Sequence, residues 1–328
     1  MPLLDGRSAP AIAEAAQALA NGELVAFPTE TVYGLGARAD DDRAVARIFA
    51  AKGRPADHPL IVHVADQASA EYFGDLSSQA AQRLAQAFWP GPLTLIVPRQ
   101  PGIAAAAAAG QDSIGLRVPS HPVALALLAA CAARGVHGVA GPSANGFGRI
   151  SPTLASHVVE EFGSDLRVLD GGPCDAGIES TIIDCTAGRA TLLRPGVLTR
   201  EALERCLQRP LGERDEASPR ASGTLAAHYA PRARLRLMST ADLRTALTVL
   251  AGGQPPQGLA VYSRSVRKAE AGIDLEVMPE RADEAAHQLF AVLRGFDARG
   301  ARLIWVEEPP AAPEWDGVRD RLQRAAAA

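Results

Sequence analysis

The sequence predicts an α/β protein of two domains, and three observations support that prediction. The chain has 328 residues, more than one domain usually holds, and its 47% hydrophobic and 21% charged residues are typical of globular proteins. Short apolar runs alternate with amphipathic stretches, which is the pattern of strands joined by helices. A charged, proline-containing segment at residues 208–232 breaks this alternation and predicts a linker between domains at 1–207 and 233–328.

The spacing of hydrophobic residues and the positions of capping residues predict the helices and strands of the first domain. Leu24–Phe27 is expected to form a buried strand that ends at Pro28, because proline supplies no N–H to a strand ladder. Asp40, Asp41 and Asp42 are expected to cap a helix that runs to about Ala51. The remaining predicted helices cover residues 9–21, 77–88, 123–133, 158–162 and 198–207, and the remaining strands cover 59–64, 93–97, 113–119, 136–140, 167–170, 180–184 and 190–193. The polyalanine run 104–109 fits either a helix or a loop.

The second domain is predicted to be small and doubly wound, with a Rossmann-like order of elements. Its strands are expected at residues 235–238, 258–263, 275–278 and 302–306, alternating with helices at 240–251, 282–299 and 315–327. Ser239 and Asp242 have the spacing of a capping box for the first of these helices.

Charge and cysteine usage exclude several classes of protein. The formal net charge of -4 and the pI near 6.0 give no overall nucleic-acid signature, although a local basic cleft is compatible with them. The four cysteines are scattered without a C-x-x-C pair, so neither a zinc site nor a disulfide framework is expected. The N-terminus carries charges and no run is long enough for a membrane span, so we expect a cytoplasmic protein without a signal peptide.

The presence or absence of known nucleotide-binding and hydrolase motifs narrows the range of reactions that the chain could catalyse. Residues 34–39 match the Gly-x-Gly-x-x-Ala turn of dinucleotide-binding proteins, but three aspartates crowd the helix start where a pyrophosphate must lie, so no NAD site is expected. The chain has no P-loop, no G-x-S-x-G elbow and no H-E-x-x-H motif. Nucleotide handling without these motifs indicates adenylate or nucleotidyl transfer, in which electrostatic positioning does most of the work and Mg²⁺ shares the triphosphate charge.

Cations and hydroxyls collect at the predicted strand ends and loops of the first domain, where α/β proteins bind ligands. Arg117 is the strongest single candidate, because an arginine within an apolar strand needs an anion or an ion pair, and no acidic partner stands out in sequence. Lys52 is one of two lysines among 33 basic residues, and its compact charge suits a phosphate. The candidates are poor in carboxylates and therefore predict an anion site; they are Thr31, Lys52, Arg54, His58, His63, Ser113, Arg117, Ser143, Asn145, Ser151, Ser180 and Arg194.

Nine motifs in a fixed order carry a family resemblance over residues 10–208. They are Pro28–Leu35, Lys52–Pro55, Pro59–His63, Trp89–Thr94, Gly115–Pro119, Pro142–Asn145, Ser151–Thr153, Glu179–Asp184 and Arg194–Gly196. Together they resemble the YrdC/Sua5 family of threonylcarbamoyl-AMP synthases. The segment Ala221–Pro231 is similar to the linker of the long Sua5 form, which folds over the active site as a lid, but Ser222-Gly223-Thr224 stands where that family usually has Pro-Gly-Met.

The resemblance implies a YrdC-like domain with a twisted mixed sheet, a linker or lid, and a small C-terminal Sua5 domain. It implies that L-threonine, bicarbonate or CO₂, and ATP are joined into threonylcarbamoyl-AMP and pyrophosphate for the t6A modification of tRNA. L-Threonine is then expected at Thr31, His63, Arg117, Gly141 and Ser180. ATP is expected at Lys52, Arg54, His58, Ser113, Ser143, Asn145, Ser151, Arg194 and Tyr229. Catalysis is assigned to Lys52, Arg54 and Arg117, with Mg²⁺ accompanying ATP and neither zinc nor NAD.

The expected partners are a downstream t6A transferase complex that receives the adenylate, with a weak tRNA contact and no membrane. An RNA-binding module using the same basic concavity is the main alternative; its binding would weaken steeply with salt, whereas the enzyme would bind ATP more tightly with threonine. Few aromatic residues accompany the basic ones, which disfavours base stacking. A carbamoyl-phosphate-dependent maturation factor would need zinc-finger cysteines and another large domain, which the sequence lacks.

Overall fold

The chain forms two compact units. The computed structural model describes residues 3–251, 253, 256–269 and 271–328. The first unit runs through Phe147 and resumes at Ser151–Thr224, and the second contains Gly148–Ile150 and Leu225–Ala328. The segment predicted as a linker, residues 208–232, is therefore divided between the two units.

A mixed sheet of ten strands is the frame of the first unit. The strands are β1 (Leu3–Asp5), β2 (Val25–Phe27), β3 (Gly34–Arg38), β4 (Ile61–His63), β5 (Leu93–Pro98), β6 (Ser113–Arg117), β7 (Val139–Ala140), β8 (Arg167–Asp170), β9 (Thr181–Asp184) and β10 (Thr191–Arg194). Their order is β1-β8-β2-β3-β7-β4-β6-β5-β9-β10. The pairs β1–β8, β8–β2, β4–β6 and β5–β9 are parallel, and the other neighbours are antiparallel.

Seven helices accompany this sheet in the described part of the first unit. They are α1 (Ala9–Ala20), α2 (Asp42–Lys52), α3 (Gln67–Glu71), α4 (Gln79–Phe88), α5 (Pro122–Ala132), α6 (Ala155–Phe162) and α7 (Arg200–Leu207). Helix α2 begins as its sequence predicts, because the Asp41 carboxylate accepts hydrogen bonds from the free N–H groups of Arg43 and Ala44. The alanine-rich α1 and the apolar α5 share one hydrophobic cluster that includes Leu19 and Leu128.

The structure adds a strand that the sequence patterns did not predict and decides an alternative that they left open. The glycine-rich residues 34–38 form β3, antiparallel to β2. Glycine is needed there because a Cβ on Gly36 would lie 2.9 Å from Val139 Cγ1 and 3.0 Å from Phe27 Cε1. The polyalanine run 104–109, left open between helix and loop, is a series of turns and bends. Strand β1 and helix α3 are short elements that the sequence patterns did not predict.

The second unit contains a smaller, fully parallel sheet. Its elements are β11 (Arg234–Met238), α8 (Thr240–Ala251), β12 (Leu259–Ser263), β13 (Asp274–Val277), α9 (Ala282–Ala298), β14 (Leu303–Glu307) and α10 (Asp316–Ala326). The strand order is β11-β14-β12-β13. Ser239 caps α8 as predicted, since its Oγ accepts from the Asp242 N–H at 3.1 Å.

The α/β prediction, with a mixed sheet followed by a small parallel α/β domain, is confirmed. Among the residues that the structure describes, no helix has the length and apolar character needed to cross a membrane.

Candidate functional site

Arg117 stands at the end of β6, beside its register partner His63 at the end of β4. Its buried guanidinium donates from Nη1 to Thr31 Oγ1 at 2.9 Å and from Nε to the Gly91 carbonyl at 3.2 Å. Nη2 forms an ion pair with Glu30 Oε1 at 2.7 Å. A guanidinium has five N–H donors. At least two therefore have no partner in the described part of the chain, and they are available to an anionic ligand.

Two buried carboxylates correct the expectation that this set of residues is poor in them. Glu30 is only 6% exposed, pairs with Arg117, and accepts the Ser120 N–H at Oε2 over 3.1 Å. Glu179 is also buried, and its Oε1 accepts a hydrogen bond from Ser151 Oγ. Arg117 thus has the acidic partner that sequence reasoning did not find. Sequence position was the signal that could have identified both glutamates, because each one directly precedes a candidate hydroxyl residue in its motif.

A turn held by the Thr29 hydroxyl follows β2 and places Thr31 beside Arg117. Thr29 Oγ1 lies 2.8 Å from Thr31 Oγ1, accepts the Thr31 N–H at 3.2 Å and donates to the Val32 carbonyl at 2.6 Å. Such a side-chain turn fixes the backbone just after the strand. Thr29 therefore positions Thr31, a role that the sequence analysis did not assign.

His63 and Gly141 lie against each other beside Arg117. A Cβ on Gly141 would come within 3.0 Å of His63 Nδ1, so only glycine permits this approach. Burial, helped by the positive charge of Arg117, lowers the pKa of His63 to about 3, so the ring is neutral at pH 7. Its buried Nδ1 has no hydrogen-bond partner among the residues described. A neutral imidazole nitrogen can accept or donate one hydrogen bond, so Nδ1 is open to a polar group of a ligand.

Lys52 holds the loop that contains Ser143 and Asn145. Its Nζ donates to the Ser143 carbonyl at 2.5 Å and also to the Asn145 carbonyl. Burial, together with the nearby charge of Arg54, lowers the pKa of Lys52 well below its ordinary value. In this structure Lys52 Nζ therefore fixes the loop backbone, and its expected contact with phosphate remains a prediction. The Asn145 side chain bonds locally, donating from Nδ2 to the Gly146 carbonyl at 2.8 Å.

Arg54 and His58 flank one aromatic ring. The Arg54 guanidinium carbon lies 5.6 Å from the Phe147 ring centroid, and the His58 ring lies 5.3 Å from it. Arg54 Nη2 also donates to the Pro59 carbonyl at 3.1 Å and lies 3.4 Å from Ser222 Oγ. Partial burial, and then the Arg54 charge, lower the pKa of His58 and favour its neutral ring. Phe147 was not a sequence candidate.

Arg194 joins Ser180 to the segment around Ser222. Its Nε and Nη2 donate to the Ser180 carbonyl at 3.1 and 2.8 Å, Nη2 reaches Ser180 Oγ at 3.2 Å, and Nη1 donates to the Ser222 carbonyl at 2.9 Å. The β9–β10 register shifts between Leu192 and Arg194, and such irregularities commonly re-aim a side chain beside a functional site. Arg54 and Arg194 therefore meet at Ser222, which the sequence analysis placed in the linker or lid segment but did not assign to the site.

Ser113 begins β6 and lines a cleft together with Thr94, Gly115 and Ser222. It lies on the same strand as Arg117, which connects the cleft to the Arg117 cluster. Thr94 is fully buried and was likewise absent from the sequence candidates.

Tyr229 belongs to the second unit and is packed inside it. Its ring stacks on Phe290 with centroids 5.5 Å apart, and the Arg321 guanidinium carbon lies 5.2 Å from its centroid. Its φ of +62° is in the left-handed region, which is rare for a bulky residue and is typical of functional segments. The contact between Tyr229 and ATP remains a prediction.

The burial of the cations decides what kind of ligand the first unit suits. Arg54, Arg117 and Arg194 are 7%, 3% and 3% exposed, so their donors face enclosed polar surroundings and not bulk solvent. A surface that grips a nucleic-acid backbone presents accessible basic side chains. The arrangement instead favours small anions held by guanidinium and hydroxyl donors, and nothing in it supports the RNA-binding alternative.

Comparison with known proteins finds a matching family model for each half of the chain. Residues 17–196 match the family model named for Sua5, YciO and YrdC and described as telomere recombination. Residues 198–327 match the model described as the C-terminal domain of threonylcarbamoyl-AMP synthase. The threonylcarbamoyl-AMP synthase of Bacillus subtilis (strain 168) is 36% identical over 327 residues, covering 97% of this chain and 93% of the relative. That of Pyrococcus abyssi is 36% identical over 323 residues, covering 95% and 92%.

Solved structures agree with these sequence matches. The crystal structure of P. abyssi Sua5 complexed with L-threonine matches with a TM-score of 0.88 at 35% identity, covering 97% of this chain and 95% of that one. Escherichia coli YciO, at 22% identity and a TM-score of 0.52, shares the fold of the first part. The chain therefore belongs to the Sua5/YrdC family, in the long form that carries the C-terminal Sua5 domain.

Proposed function

We propose that this protein is an L-threonylcarbamoyladenylate synthase, a nucleotidyltransferase that makes threonylcarbamoyl-AMP and pyrophosphate from L-threonine, bicarbonate or CO₂, and ATP. The observation that carries the proposal is the buried Arg117, whose guanidinium keeps N–H donors without a partner among the described residues. Beside it lie Thr31 and His63, and the Nδ1 atom of His63 also lacks a described partner. Family membership supports it, because full-length relatives have this activity as their name.

The threonine end of the site is assigned to Thr31, His63, Arg117, Gly141 and Ser180. Arg117 binds the carboxylate of the amino acid with its remaining donors. Glu30 keeps the guanidinium in place and balances its charge, so a zwitterion enters without adding net charge to a buried region. Neutral His63 offers an acceptor at Nδ1 to a hydroxyl or amine of the substrate.

The nucleotide end is assigned to the cations around Ser222 and to the loop that Lys52 holds. Arg54 and Arg194 stabilise charge on the phosphates, and Lys52 fixes the loop carbonyls so that Ser143 and Asn145 present a preorganised surface. The other residues assigned to ATP are His58, Ser113, Ser151 and Tyr229.

The reaction then needs positioning and charge stabilisation more than proton transfer. The neutral amine of threonine forms an N–C bond to CO₂ and loses one proton to water, giving a carbamate. A carbamate oxygen forms a bond to the α-phosphorus while the bond to the bridging oxygen breaks, and pyrophosphate leaves. Holding both reactants in line and neutralising the phosphates supplies the rate, and no protein base is required.

Mg²⁺ enters as part of the ATP substrate. Among the described residues no group of three or more His, Cys, Asp or Glu side chains is arranged to hold a metal ion. The two carboxylates of the site already have partners, Glu30 with Arg117 and Glu179 with Ser151. Mg²⁺ bound with ATP would add positive charge at the triphosphate.

The product is proposed to serve the t6A modification of tRNA, through a transferase complex that receives the adenylate. The test is an assay with labelled threonine, bicarbonate and ATP that follows both the adenylate and pyrophosphate, with each substrate omitted in turn. We expect pyrophosphate release to require all three substrates. Release of phosphate or pyrophosphate without threonine would contradict the proposal and indicate simple ATP hydrolysis.

A further inference from the structure

One peptide group in the nucleotide loop, which we define as residues 143–147, is held at both of its ends. It joins Asn145 to Gly146, and its carbonyl oxygen accepts a hydrogen bond from Lys52 Nζ. Its N–H points the opposite way, as in any trans peptide, and donates to Glu161 Oε2 at 3.2 Å. The orientation of this peptide is therefore set by two side chains, Lys52 in the last turn of α2 and Glu161 in the last turn of α6. The sequence analysis gave Glu161 no role.

Helix α6, which carries Glu161, is fixed independently of the loop. At its start, the buried His157 ring accepts the Thr153 N–H at Nδ1 over 3.2 Å. Val158 is fully buried in the hydrophobic core of the first unit. Glu161 follows His157 by four residues, so the two side chains lie on the same face of the helix, one turn apart. The Glu161 carboxylate therefore reaches the loop from a rigid support.

The held peptide lies between two residues of the predicted nucleotide end. Asn145, on one side, is 1% exposed and is assigned to ATP. Phe147, on the other side, donates its N–H to the Lys52 carbonyl at 2.9 Å. Its ring lies against Arg54 and His58, which are also assigned to ATP. A rotation of the peptide would displace both neighbours, because they are covalently linked to it. A loop that is already ordered pays less conformational entropy when a ligand binds.

The Glu161 carboxylate also acts on Lys52 through its charge. Burial, and then the charge of Arg54, lower the pKa of Lys52. The nearby carboxylates of Glu161 and Glu179 act in the opposite direction. The protonated form of Lys52 is the one that suits a phosphate, because it is a compact cation with three donors. Loss of Glu161 would therefore free the loop peptide and also disfavour the phosphate-binding form of Lys52.

We propose that Glu161 is a positioning residue for ATP binding, which acts by fixing the Asn145–Gly146 peptide of the nucleotide loop. This inference rests on the proposed function. The loop contributes Ser143 and Asn145, which are both assigned to ATP, and it contains none of the residues assigned to L-threonine. Loss of Glu161 is therefore expected to weaken nucleotide binding and to leave threonine binding unchanged. A role in general stability would affect both ligands alike.

Calorimetry with the full-length protein tests this selectivity. The nucleotide probe is the Mg²⁺ complex of α,β-methylene-ATP, which cannot release pyrophosphate, and L-threonine is titrated separately. Glu161→Ala removes both the acceptor and the charge, and we expect the Kd for the nucleotide to rise about tenfold or more. The Kd for L-threonine is expected to stay within about twofold. Glu161→Gln keeps an acceptor oxygen without the charge, so a smaller rise of about threefold in the nucleotide Kd is expected.

Glu160→Ala is the matched control, because Glu160 is the exposed neighbour of Glu161 on the same helix. It is expected to leave both affinities unchanged. An equal loss of nucleotide affinity in Glu160→Ala would overturn the positioning role, since the effect would then come from α6 as a whole. An unchanged nucleotide Kd in Glu161→Ala, or an equal loss of threonine affinity, would also overturn it. If Glu161→Ala does not fold, Glu161→Gln decides, and an unchanged nucleotide Kd in that variant overturns the role.

The proposed function fails in a different way. Absence of adenylate from the unmodified protein, when it binds the nucleotide, would overturn the synthase assignment and leave the positioning role to be decided by the variants. Absence of nucleotide binding to the unmodified protein would overturn both. Adenylate formation together with an unchanged nucleotide Kd in Glu161→Ala would overturn the positioning role alone.

Discussion

The two units each bury an ionic cluster, and the clusters differ in how completely the central charged group is satisfied. In the second unit, Glu307 at the end of β14 accepts from Thr240 Oγ1 at 2.6 Å, Ser263 Oγ at 2.5 Å, the Arg264 N–H at 2.9 Å and the Ser265 N–H at 2.8 Å. A carboxylate offers about four lone-pair sites, so Glu307 is saturated by its own unit.

The cluster around Arg117 in the first unit is incomplete by comparison. Arg117 retains N–H donors, His63 Nδ1 has no partner in the described residues, and the hydroxyl pair of Thr94 and Ser180, with its oxygens 2.7 Å apart, has a hydrogen without an acceptor there. Folding alone does not require buried groups to remain unsatisfied, because each one costs stability. The difference lies in the central charged group: Glu307 is saturated, and the atoms around it that lack a partner among the described residues are Arg264 Nε and Ser265 Oγ, whereas Arg117 itself keeps donors for a ligand.

The largest effect is expected from removing the cation of the first cluster. Arg117→Gln deletes the donors proposed to bind the threonine carboxylate and leaves Glu30 buried without a counter-charge, at a cost of about 3–5 kcal/mol in the free energy of unfolding. Threonine affinity is expected to fall about 100-fold or more. Calorimetry and thermal unfolding measure both effects.

A double variant separates stability from binding at this position. Arg117→Gln combined with Glu30→Gln removes both charges, so the free energy of unfolding is expected to recover while threonine binding remains lost. Recovery of binding in the double variant would show that Arg117 is a structural residue only.

Glu30→Gln by itself is expected to destabilise the free protein by about 3 kcal/mol, because the buried Arg117 charge then lacks its partner. In the proposed site, threonine brings a carboxylate to the same guanidinium. Its addition is therefore expected to raise the Tm of this variant more than the Tm of the unmodified protein. An equal or smaller rise would argue that the amino acid does not bind at Arg117.

Glu307→Gln tests the saturated cluster and is expected to cost about 2 kcal/mol of stability. Burial opposes ionisation of Glu307, but hydrogen bonds from Ser263, Thr240 and Ser265 outweigh it and lower its pKa from 4.5 to about 2. The unfolded chain therefore binds more protons between these values, and this contribution to stability is present above pH 4.5 and is lost as pH falls towards 2.

Denaturant unfolding as a function of pH measures this effect. The unmodified protein is expected to lose stability between about pH 4.5 and pH 2, and Glu307→Gln is expected to lose less over that interval. Threonine affinity at neutral pH should be the same in both. Identical pH profiles would contradict the assignment of the low pKa to Glu307.

The smallest effect is expected from Ser222→Ala. The variant removes the 3.4 Å contact of Ser222 Oγ with Arg54 but keeps the carbonyl that accepts from Arg194. We expect the KM for ATP to change by about twofold to threefold. A change above tenfold in Ser222→Ala would show that the hydroxyl itself is needed for nucleotide binding.

Local patterns were enough to predict most elements, and they failed where a neighbour decides the outcome. Helix α2 and its aspartate cap follow from residues within one turn of each other. Strand β3 does not, because its glycine-rich residues read as a turn until β2 pairs with them and the side chains of Phe27 and Val139 leave room for nothing larger. The candidate residues of the first unit were found by motif, but Glu30, Thr94 and Glu179 became visible only through their partners.

The sequence by itself determined the α/β class, the family and the identity of the cations, because apolar period, capping residues and motif order are local properties of the chain. Tertiary structure alone decided which of those groups are already satisfied. Glu30 meets Arg117 from a distance of 87 positions along the chain, and Thr94 meets Ser180 across 86. Hydrogen-bond saturation depends on such distant pairs, and only the folded sheet brings them within reach.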